Sequence, residues 1–313
     1  MNILRVMNLL HLRETAIKTQ PYGAKIMTNP TVSFEFFPPK SLQASFRLWD
    51  CVQALAPLDP TFVSVTYGAG GTTRKLTHEA VEAIHTTTDL NVAAHLTCVD
   101  ATKSETLDIA RSYKDAGVTH IVALRGDPPK GTTGFQPNPD GFAGSIELTR
   151  ALADEGFDVT VGAYPETHRD ATSPQACIDH LKAKIDAGAT RAITQFFFEA
   201  DTFLRFRDAC ADAGITAPIL PGILPVENWS GVEKFAKSCG AKIPQLVRDG
   251  FAHAQKSGTE DLLATALATE LCDELTGEGV DHLHFYTLNK PELTRDSCHA
   301  LGITPKLSLQ NVA

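Results

Sequence analysis

The chain has 313 residues, of which 43% are hydrophobic and 21% are charged, a composition typical of a globular protein. A formal net charge of −9 argues against a nucleic-acid partner, because the phosphate backbone binds basic protein faces. The seven cysteines are scattered and include no CxxC pair, which favours reduced thiols in a cytoplasm over disulfides or a zinc site. No run of about 18 apolar residues occurs, so we expect no membrane-spanning segment.

The first 31 residues precede the first predicted strand. Their apolar run is interrupted by Arg5 and Asn8, and no small-residue cleavage site follows it, so the pattern is not that of a signal peptide. We expect an N-terminal extension over residues 1–31, helical or partly disordered. A single catalytic domain over 32–304 and a short tail over 305–313 would complete the chain.

Strand-like and helix-like segments alternate along the chain. The predicted strands cover residues 32–37, 61–66, 91–98, 120–124, 159–163, 192–198, 218–224 and 280–288. Helical spacing of apolar residues follows each strand, and several helical stretches lie between residues 232 and 276. Eight alternating units predict an α/β fold, a single (β/α)8 TIM barrel with an N-terminal extension and extra helices before the last strand. An open doubly wound sheet is less favoured, because GAGGTT at 68–73 follows the second strand and lacks a third glycine.

Glu35 lies in the middle of the first predicted strand, among aromatic and β-branched residues. Period-two alternation places Ser33, Glu35 and Phe37 on one face and Val32, Phe34 and Phe36 on the other. A carboxylate in a buried strand is costly unless a partner or a function holds it there. The residue is therefore either half of an ion pair with a Lys or Arg across the core, or a general acid whose pKa is tuned by the surrounding Phe residues.

Polar residues collect where the predicted strands end, which is where the active sites of such barrels form. They are Glu35, Thr66, His95, Arg125, Asp127, Tyr164, His168, Gln195, Tyr286 and Lys290. Taken singly, each keeps a structural interpretation; His95, for example, could be a hydrogen-bonded core histidine. Their convergence at strand ends favours general acid catalysis by Glu35.

The motifs in the sequence favour neither a metal site nor nucleophilic hydrolysis. His282 and His284 share one face of the last predicted strand, but no third ligand at matching spacing and no HExxH motif is present. No GxSxG motif is present either. Arg125, Lys182 and Lys184 offer phosphate-binding groups, and together with the acids and aromatics they suit a large planar cofactor better than a metal.

Eight strings of residues carry a specific family resemblance. They are VSFEFFPP at 32–39, FVSVTYGA at 62–69, HLTC at 95–98, ALRGD at 123–127, AYPETH at 163–168, TQFFF at 194–198, PGILP at 221–225 and HFYTLN at 284–289. From about residue 32 to about residue 302, these strings resemble the bacterial-type methylenetetrahydrofolate reductases, in the order of that family.

The resemblance implies an FAD-bearing barrel that reduces 5,10-methylenetetrahydrofolate to 5-methyltetrahydrofolate. NADH or NADPH and then the folate would occupy the same flavin face in a ping-pong scheme. Glu35 matches the family's catalytic acid, which would protonate N10 as the methylene bridge opens to an iminium cation. Asp127 matches the residue between flavin and pterin, which would hold the pterin and disfavour an anionic reduced flavin.

The same resemblance implies the binding residues. The flavin-contacting positions are Thr66, Tyr67, Ala69, His95, Arg125, Gly126, Asp127, Phe142, Ala143, Tyr164, His168, Ala171, His180 and Lys184. The substrate-contacting positions are Thr66, Asp127, Gln195, Phe235, Tyr286 and Lys290. No metal is implied, and the expected partners are the folate and the nicotinamide dinucleotide in a cytoplasmic homo-oligomer, without nucleic acid or membrane.

Some positions depart from the family pattern, and they affect how tightly flavin and folate would bind rather than the reaction itself. Cys177, His180 and Ala183 stand where the family more often has an Asp, an Asn and a basic residue that hold the flavin. Lys290 stands where Arg is expected at the glutamate end of the folate, and Lys lacks the bidentate fork of Arg. We therefore keep a second hypothesis, a flavin-poor folate-binding barrel that acts only with a partner subunit.

Overall fold

The structure is a computed structural model and describes residues 29–67, 74–127 and 135–306. The N-terminal extension as far as residue 28, the predicted flavin contact Ala69 and the tail from residue 307 lie outside the described residues. Within this part of the chain, no helix combines the length and the apolar character needed to cross a membrane.

Strands and helices alternate as predicted. The strands are β1 (Thr31–Phe36), β2 (Phe62–Val65), β3 (Val92–Thr97), β4 (His120–Leu124), β5 (Asp158–Ala163), β6 (Arg191–Thr194), β7 (Ile219–Leu220), β8 (Gly222–Ile223) and β9 (His282–Tyr286). The helices of the described residues are α1 (Leu42–Leu55), α2 (Arg74–Thr87), α3 (Lys103–Asp115), α4 (Ser145–Asp154), α5 (Pro174–Asp186), α6 (Ala200–Asp212), α7 (Trp229–Cys239), α8 (Gln245–Ser257), α9 (Glu260–Gly277) and α10 (Glu292–Ala300). A 3-10 turn over Ala56–Leu58 follows α1.

The strands form one parallel sheet in the order β7-β6-β5-β4-β3-β2-β1-β9-β8. β7 pairs with β6 and β8 pairs with β9, so the two short strands together occupy the seventh position and bring the sheet round into a barrel. Pro221 separates them because it has no N–H for the ladder, although its carbonyl still accepts a hydrogen bond from His284 N at 3.0 Å. The predicted TIM barrel is confirmed, with its seventh strand divided in two.

Two predicted strands extended too far. β6 ends at Thr194 rather than at residue 198, because Phe196 N donates to the Oε1 of Gln195 and not to a neighbouring strand. β9 ends at Tyr286 rather than at residue 288, because Leu288 and Asn289 adopt positive φ angles of 51° and 56° that turn the chain. Both strands therefore end earlier than predicted, at the carboxyl-terminal rim of the barrel.

The alternation predicted for β1 is confirmed. Val32, Phe34 and Phe36 are buried in the layer between the barrel and its helices. Burial of each such side chain contributes on the order of 2 kcal/mol. Ser33 and Glu35 face the barrel interior, where they meet side chains from β9 and β3. The strand therefore carries its apolar residues outward to the helices and its polar residues inward.

Three helices, α7 to α9, stand between β8 and β9 as expected. They form a second apolar cluster in which Trp229 stacks on Phe251 with 4.6 Å between ring centroids. Phe196, which follows β6, joins the same cluster. The extra helices thus pack against residues that follow the barrel strands.

Candidate active site

Glu35 lies inside the barrel near the carboxyl end of β1, with 14% of its side chain exposed. Its Oε2 is 3.4 Å from His95 Nε2 and 3.8 Å from His284 Nε2. Burial raises the pKa of Glu35, and burial also lowers the pKa of His95 to about 4 and that of His284 to about 3. Both imidazoles are therefore neutral at neutral pH, and burial favours the protonated form of the Glu35 carboxyl.

The surroundings of Glu35 differ from the expectation in one respect. The Phe residues of β1 lie on the opposite face, so they do not enclose the carboxyl. Its neighbours in register on the flanking strands are Ser64 and Tyr286. Among the described residues, the groups of opposite charge type within ion-pair distance are the two imidazoles and no Lys or Arg. Within the part of the chain that the structure describes, Glu35 therefore has no core ion pair with a Lys or Arg.

Tyr286 lies beside Glu35 in the β1–β9 pairing and contacts the end of β6. Its hydroxyl donates to the Thr194 carbonyl at 2.6 Å, and burial, Glu35 and Tyr164 all raise its pKa. Gly222 makes room for the ring: a Cβ there would lie 2.2 Å from the Thr194 carbonyl oxygen and 2.6 Å from Tyr286 Cε2. Close approach of the Tyr286 ring thus requires glycine at position 222.

A cavity of about 600 Å³ lies at the carboxyl ends of β4 and β5, beside α5. Many predicted flavin contacts line it, namely Arg125, Gly126, Asp127, Ala143, Tyr164, His168, Ala171, His180 and Lys184. These residues come from separate βα units, and the barrel brings them together. Cys177, which departs from the family pattern, lines the same cavity, whereas Ala183 does not.

Two cationic side chains of this cavity differ in their partners: among the described residues Lys184 bonds only a backbone carbonyl, whereas Arg125 is paired with a carboxylate. Lys184 is buried, its Nζ donates to the Gly162 carbonyl, and burial lowers its pKa to about 8. His180 Nε2 lies 3.5 Å from Ser145 Oγ, and burial lowers the pKa of His180 to about 4. Arg125 pairs with Asp170 at 3.0 Å. A buried ammonium held by one carbonyl, next to an arginine, fits a ligand that carries phosphate.

Backbone and aromatic groups of the cavity suit a flat ring. Gly126 has a φ of +88°, and a Cβ there would lie 2.9 Å from Val99 Cγ1. The Arg125 guanidinium lies over the Phe135 ring at 5.1 Å. Tyr164 and His168 contact each other edge to face, with 4.5 Å between their centroids. The cavity residues therefore fit a dinucleotide with a planar head group such as FAD.

Several predicted flavin contacts lie outside the cavity lining. Thr66 accepts a hydrogen bond from Thr77 through its carbonyl, and the Tyr67 hydroxyl accepts one from Arg74 Nε at 2.7 Å. Phe142 is buried in the core, where Lys103 Nζ lies 5.6 Å from its ring centroid. The structure therefore places the Phe142 ring in packing contacts rather than at the cavity surface.

The predicted substrate contacts lie around the rim. Phe235 is 45% exposed and stacks on Phe196 with 5.3 Å between centroids. Lys290 Nζ lies 2.9 Å from Glu227 Oε2, a partner that sequence reasoning did not anticipate.

Asp127 is at the rim as well, largely exposed, with Arg169 at 3.9 Å. The structure therefore brings Asp127 to the same cavity as Arg125 but leaves its carboxylate open to solvent.

The comparisons with known proteins agree with this geometry. The methylenetetrahydrofolate reductase family model matches residues 23–302. The chain belongs to the methylenetetrahydrofolate reductase family. It is 44% identical over 286 residues to the 5,10-methylenetetrahydrofolate reductase of Salmonella typhimurium, covering 91% of this chain and 95% of that protein. It is 35% identical over 291 residues to the probable methylenetetrahydrofolate reductase (NADH) of Oryza sativa, covering 88% of this chain and 48% of that protein.

A solved structure supports the fold independently of close sequence identity. A Clostridium thermocellum protein described as binding two copies of 5-methyl-5,6,7,8-tetrahydrofolic acid superposes with a TM-score of 0.57 at 14% identity. The match covers 88% of this chain and 96% of that one. At this identity the likeness concerns the barrel alone.

Sequence reasoning missed part of the interior of this methylenetetrahydrofolate reductase family barrel. His282 and His284 share one face as noted, but Ser33 Oγ lies between them, 2.8 Å from His282 Nε2 and 2.7 Å from His284 Nδ1. In the described chain no group of three or more His, Cys, Asp or Glu side chains is placed to hold a metal ion. Strand alternation had already placed Ser33 on the same face as Glu35. Only the register between β1 and β9 shows that this face meets the two histidines.

Proposed function

We propose that this chain is a flavin-dependent methylenetetrahydrofolate reductase that converts 5,10-methylenetetrahydrofolate to 5-methyltetrahydrofolate with NADH or NADPH. The name of the Salmonella relative supports the substrate, and the name of the rice relative supports NADH as the donor. One observation carries the proposal: Glu35 is buried near the carboxyl end of β1, between two imidazoles and away from any Lys or Arg of the described residues, and burial raises its pKa.

In this proposal Glu35 is the general acid. Its carboxyl gives a proton to N10 of the folate as the methylene bridge opens, and a neutral carboxyl is the form that can do so. Neutral His95 and His284 leave the proton on Glu35, whereas cationic imidazoles at the same places would lower its pKa and promote ionisation. A general acid of this kind contributes about 10²–10⁴ in rate.

FAD would be held in the cavity between β4, β5 and α5. Lys184, Arg125 and His180 are the groups for its phosphates and ribose, and Tyr164 and the Gly126 backbone would contact its ring. When bound, the flavin supplies hydride transfer from the nicotinamide to the folate in two successive half-reactions, which is a ping-pong scheme. Asp127 would hold the pterin by hydrogen bonds and disfavour negative charge nearby.

Folate recognition is assigned to the rim. Gln195 and Thr66 would contact the pterin or the nicotinamide in turn, and the exposed Phe235 ring offers a stacking surface for the benzoyl group. Tyr286 would border the bound pterin, and Lys290 would meet the glutamate carboxylates. The buried or half-buried cysteines support a reducing compartment such as the cytoplasm.

A flavin-poor folate-binding barrel remains the second candidate. Cys177 and His180 favour it, because they occupy the cavity wall where the family more often offers an Asp and an Asn. Burial lowers the pKa of His180 to about 4, so this imidazole adds no charge at neutral pH and the phosphate-binding face relies on Lys184 and Arg125.

Absorption spectroscopy of the purified protein with added FAD tests the assignment. We expect flavin bands that bleach with NADH and recover with methylenetetrahydrofolate. Glu35→Gln should bleach at the wild-type rate and recover about 10²–10⁴-fold more slowly, because the amide cannot donate the proton. Glu274→Gln, on α9, is the matched control and should recover normally. Failure of the protein to bind FAD, or normal recovery in Glu35→Gln, would refute the proposal.

A further inference from the structure

A continuous line of polar side chains runs through the barrel interior below Glu35. It begins at Thr31, near the amino-terminal end of β1, and includes His282, Ser33 and His284 before it reaches the carboxyl. Strand register produces the line, because Thr31, Ser33 and Glu35 lie beside His282, His284 and Tyr286 in the β1–β9 pairing. The four groups therefore link the two ends of the barrel.

The contacts along this line are short. Thr31 Oγ1 is 2.8 Å from His282 Nδ1, and His282 Nε2 is 2.8 Å from Ser33 Oγ. Ser33 Oγ is 2.7 Å from His284 Nδ1, and His284 Nε2 is 3.8 Å from Glu35 Oε2. Three of the four steps are hydrogen bonds, and the last closes when the carboxyl moves by about 1 Å.

The last nitrogen of the line, His284 Nε2, points toward Glu35 and has no hydrogen-bond partner among the described residues. The His284 side chain is fully buried. A buried ring nitrogen without a partner costs free energy, which is recovered when Glu35 bonds to it. The His282 and His284 rings also stack on Phe62, at 6.1 and 5.8 Å between centroids. The Phe62 ring covers one side of both imidazoles.

The lower end of the line reaches solvent. Thr31 is exposed, and together with His282 it lines a cavity of about 770 Å³ at the amino-terminal end of the barrel. Asp281, His120 and Arg191 line the same cavity. The active-site rim is at the opposite end, where the folate and the flavin would cover Glu35 in the proposed function.

We propose that Thr31, His282, Ser33 and His284 form a proton relay that recharges Glu35 from the amino-terminal end of the barrel. The proposal rests on the proposed function, in which Glu35 loses one proton to the folate in each turnover. A relay of this kind lets the acid recover its proton while the rim is covered by bound ligands. His282, Ser33 and His284 are positioning and proton-transfer residues that do not touch the folate.

Each transfer moves one proton and leaves the relay neutral. His284 Nε2–H gives its proton to the Glu35 carboxylate, and Ser33 Oγ–H replaces it at His284 Nδ1. His282 Nε2–H then restores the Ser33 hydroxyl, and a proton from water at the lower cavity reaches His282 Nδ1 through Thr31. One proton enters from solvent and one arrives on Glu35. Rotation of the hydroxyls and exchange of the ring tautomers reset the direction of the chain.

The charged and titratable groups around the relay keep it neutral rather than compete with it. His95 from β3 faces Glu35, and His120 from β4 and Arg191 from β6 lie beside His282 and His284. Arg191 is paired with Asp158 at 2.9 Å, so its charge is already balanced. The Asp281 carbonyl accepts from the Thr31 hydroxyl at 3.1 Å, and in the relay this hydrogen turns to His282 Nδ1 at 2.8 Å when a proton is passed on.

The test compares the rate of a single turnover with the steady-state kcat. In the FAD-loaded enzyme, a single turnover of the reduced protein with methylenetetrahydrofolate uses the proton already on Glu35. Steady-state turnover requires that proton to be replaced each time. Ser33→Ala and His282→Ala should keep the single-turnover rate within about twofold of wild type and lower kcat by at least about tenfold. Added imidazole should restore kcat in His282→Ala through the lower cavity but not in Ser33→Ala.

A conservative pair of variants provides the control. Thr31→Val removes the hydroxyl at the solvent end and should lower kcat, whereas Thr160→Val removes a hydroxyl that bonds His120 outside the relay and should not. Unchanged kcat in Ser33→Ala and His282→Ala would refute the relay, since Glu35 would then recover its proton at the rim. If the single-turnover rate and kcat fall equally and imidazole does not restore them, the relay is also refuted, because the four side chains would then have a purely structural role. Normal recovery of Glu35→Gln with folate would instead refute the role of Glu35 itself, and the relay with it.

Discussion

Glu35 and His95 face each other across the barrel interior, with 3.4 Å between Glu35 Oε2 and His95 Nε2, yet they do not form an ion pair. Burial lowers the pKa of His95 to about 4, so the imidazole is neutral at neutral pH, and burial raises the pKa of Glu35. An acid and a base this close would exchange charge in water, but the interior favours the neutral pair.

The first prediction concerns pH. In the proposed mechanism the active form of Glu35 is protonated, so the folate half-reaction should be constant at low pH and fall as pH rises through the raised pKa of Glu35. The NADH half-reaction should lack this limb, because it needs no proton from Glu35. Stopped-flow absorbance of the flavin across pH measures both. A folate half-reaction that instead rises with pH would contradict the assignment.

The same pKa makes a prediction about stability. The folded protein holds the Glu35 proton more tightly than the unfolded chain does, so its contribution to stability is complete below 4.5, the ordinary pKa of Glu. It is lost as pH rises through the folded pKa. Glu35→Gln removes this loss, and its urea midpoint relative to wild type should therefore increase from pH 4 to pH 8. A constant difference across that range would show that Glu35 is ionised in the fold.

The buried Lys184 is expected to lower the stability of the flavin-free protein and to strengthen FAD binding. Burial lowers its pKa from 10.5 to about 8, so the free energy of unfolding should increase as pH rises from about 8 to 10.5. Lys184→Met should abolish this rise and stabilise the flavin-free protein at pH 7 by on the order of 2 kcal/mol. The same change should weaken FAD binding, which flavin fluorescence titration would measure.

Lys182→Met is the control for that experiment. Lys182 lies on the same helix but is 43% exposed, pairs with Asp186 at 3.2 Å and does not line the cavity. It should change neither the stability profile nor FAD affinity. If both variants weaken FAD binding alike, the effect is general electrostatic attraction rather than a buried contact.

Gly222 is predicted to be intolerant of a side chain. In Gly222→Ala the new Cβ would meet the Thr194 carbonyl oxygen and the Tyr286 ring, so we expect a loss of stability of about 1–3 kcal/mol and a displaced Tyr286. Gly231→Ala, where the nearest atom would be 3.6 Å away, is the matched control. Thermal unfolding of both variants measures the difference, and equal melting temperatures would mean that the strand shifts to accept the methyl group.

Glu227 holds the Lys290 ammonium at the rim of the barrel. Its carboxylate holds Lys290 at 2.9 Å, so Glu227→Gln should free that ammonium for the folate carboxylates and lower the KM for the folate by a few-fold, about 1 kcal/mol of binding. Glu155→Gln, which loosens the Arg111 pair at a distance from the rim, should leave KM unchanged. A higher KM in Glu227→Gln would show that the pair itself orders the site.

The sequence alone determined the architecture and pointed to Glu35 as the proposed acid. Eight alternating strand–helix units specify a parallel barrel because each strand must bury both of its faces, and every such strand reads as an apolar run with polar residues at its end. In β1 the period of two was enough to place Glu35 inward and its Phe neighbours outward. Local pattern suffices for such features because the repeat of a strand is a property of the backbone.

Only the tertiary structure decided which residues meet. Helix and strand spacing could not show that Ser33 lies between His282 and His284, about 250 residues away, because that contact depends on the β1–β9 register. Nor could it show that Lys290 pairs with Glu227, that Phe142 turns into the core, or that β6 ends at Thr194. Burial and charge state at Glu35 arise from side chains of three different strands, and closure of the barrel brings those strands together.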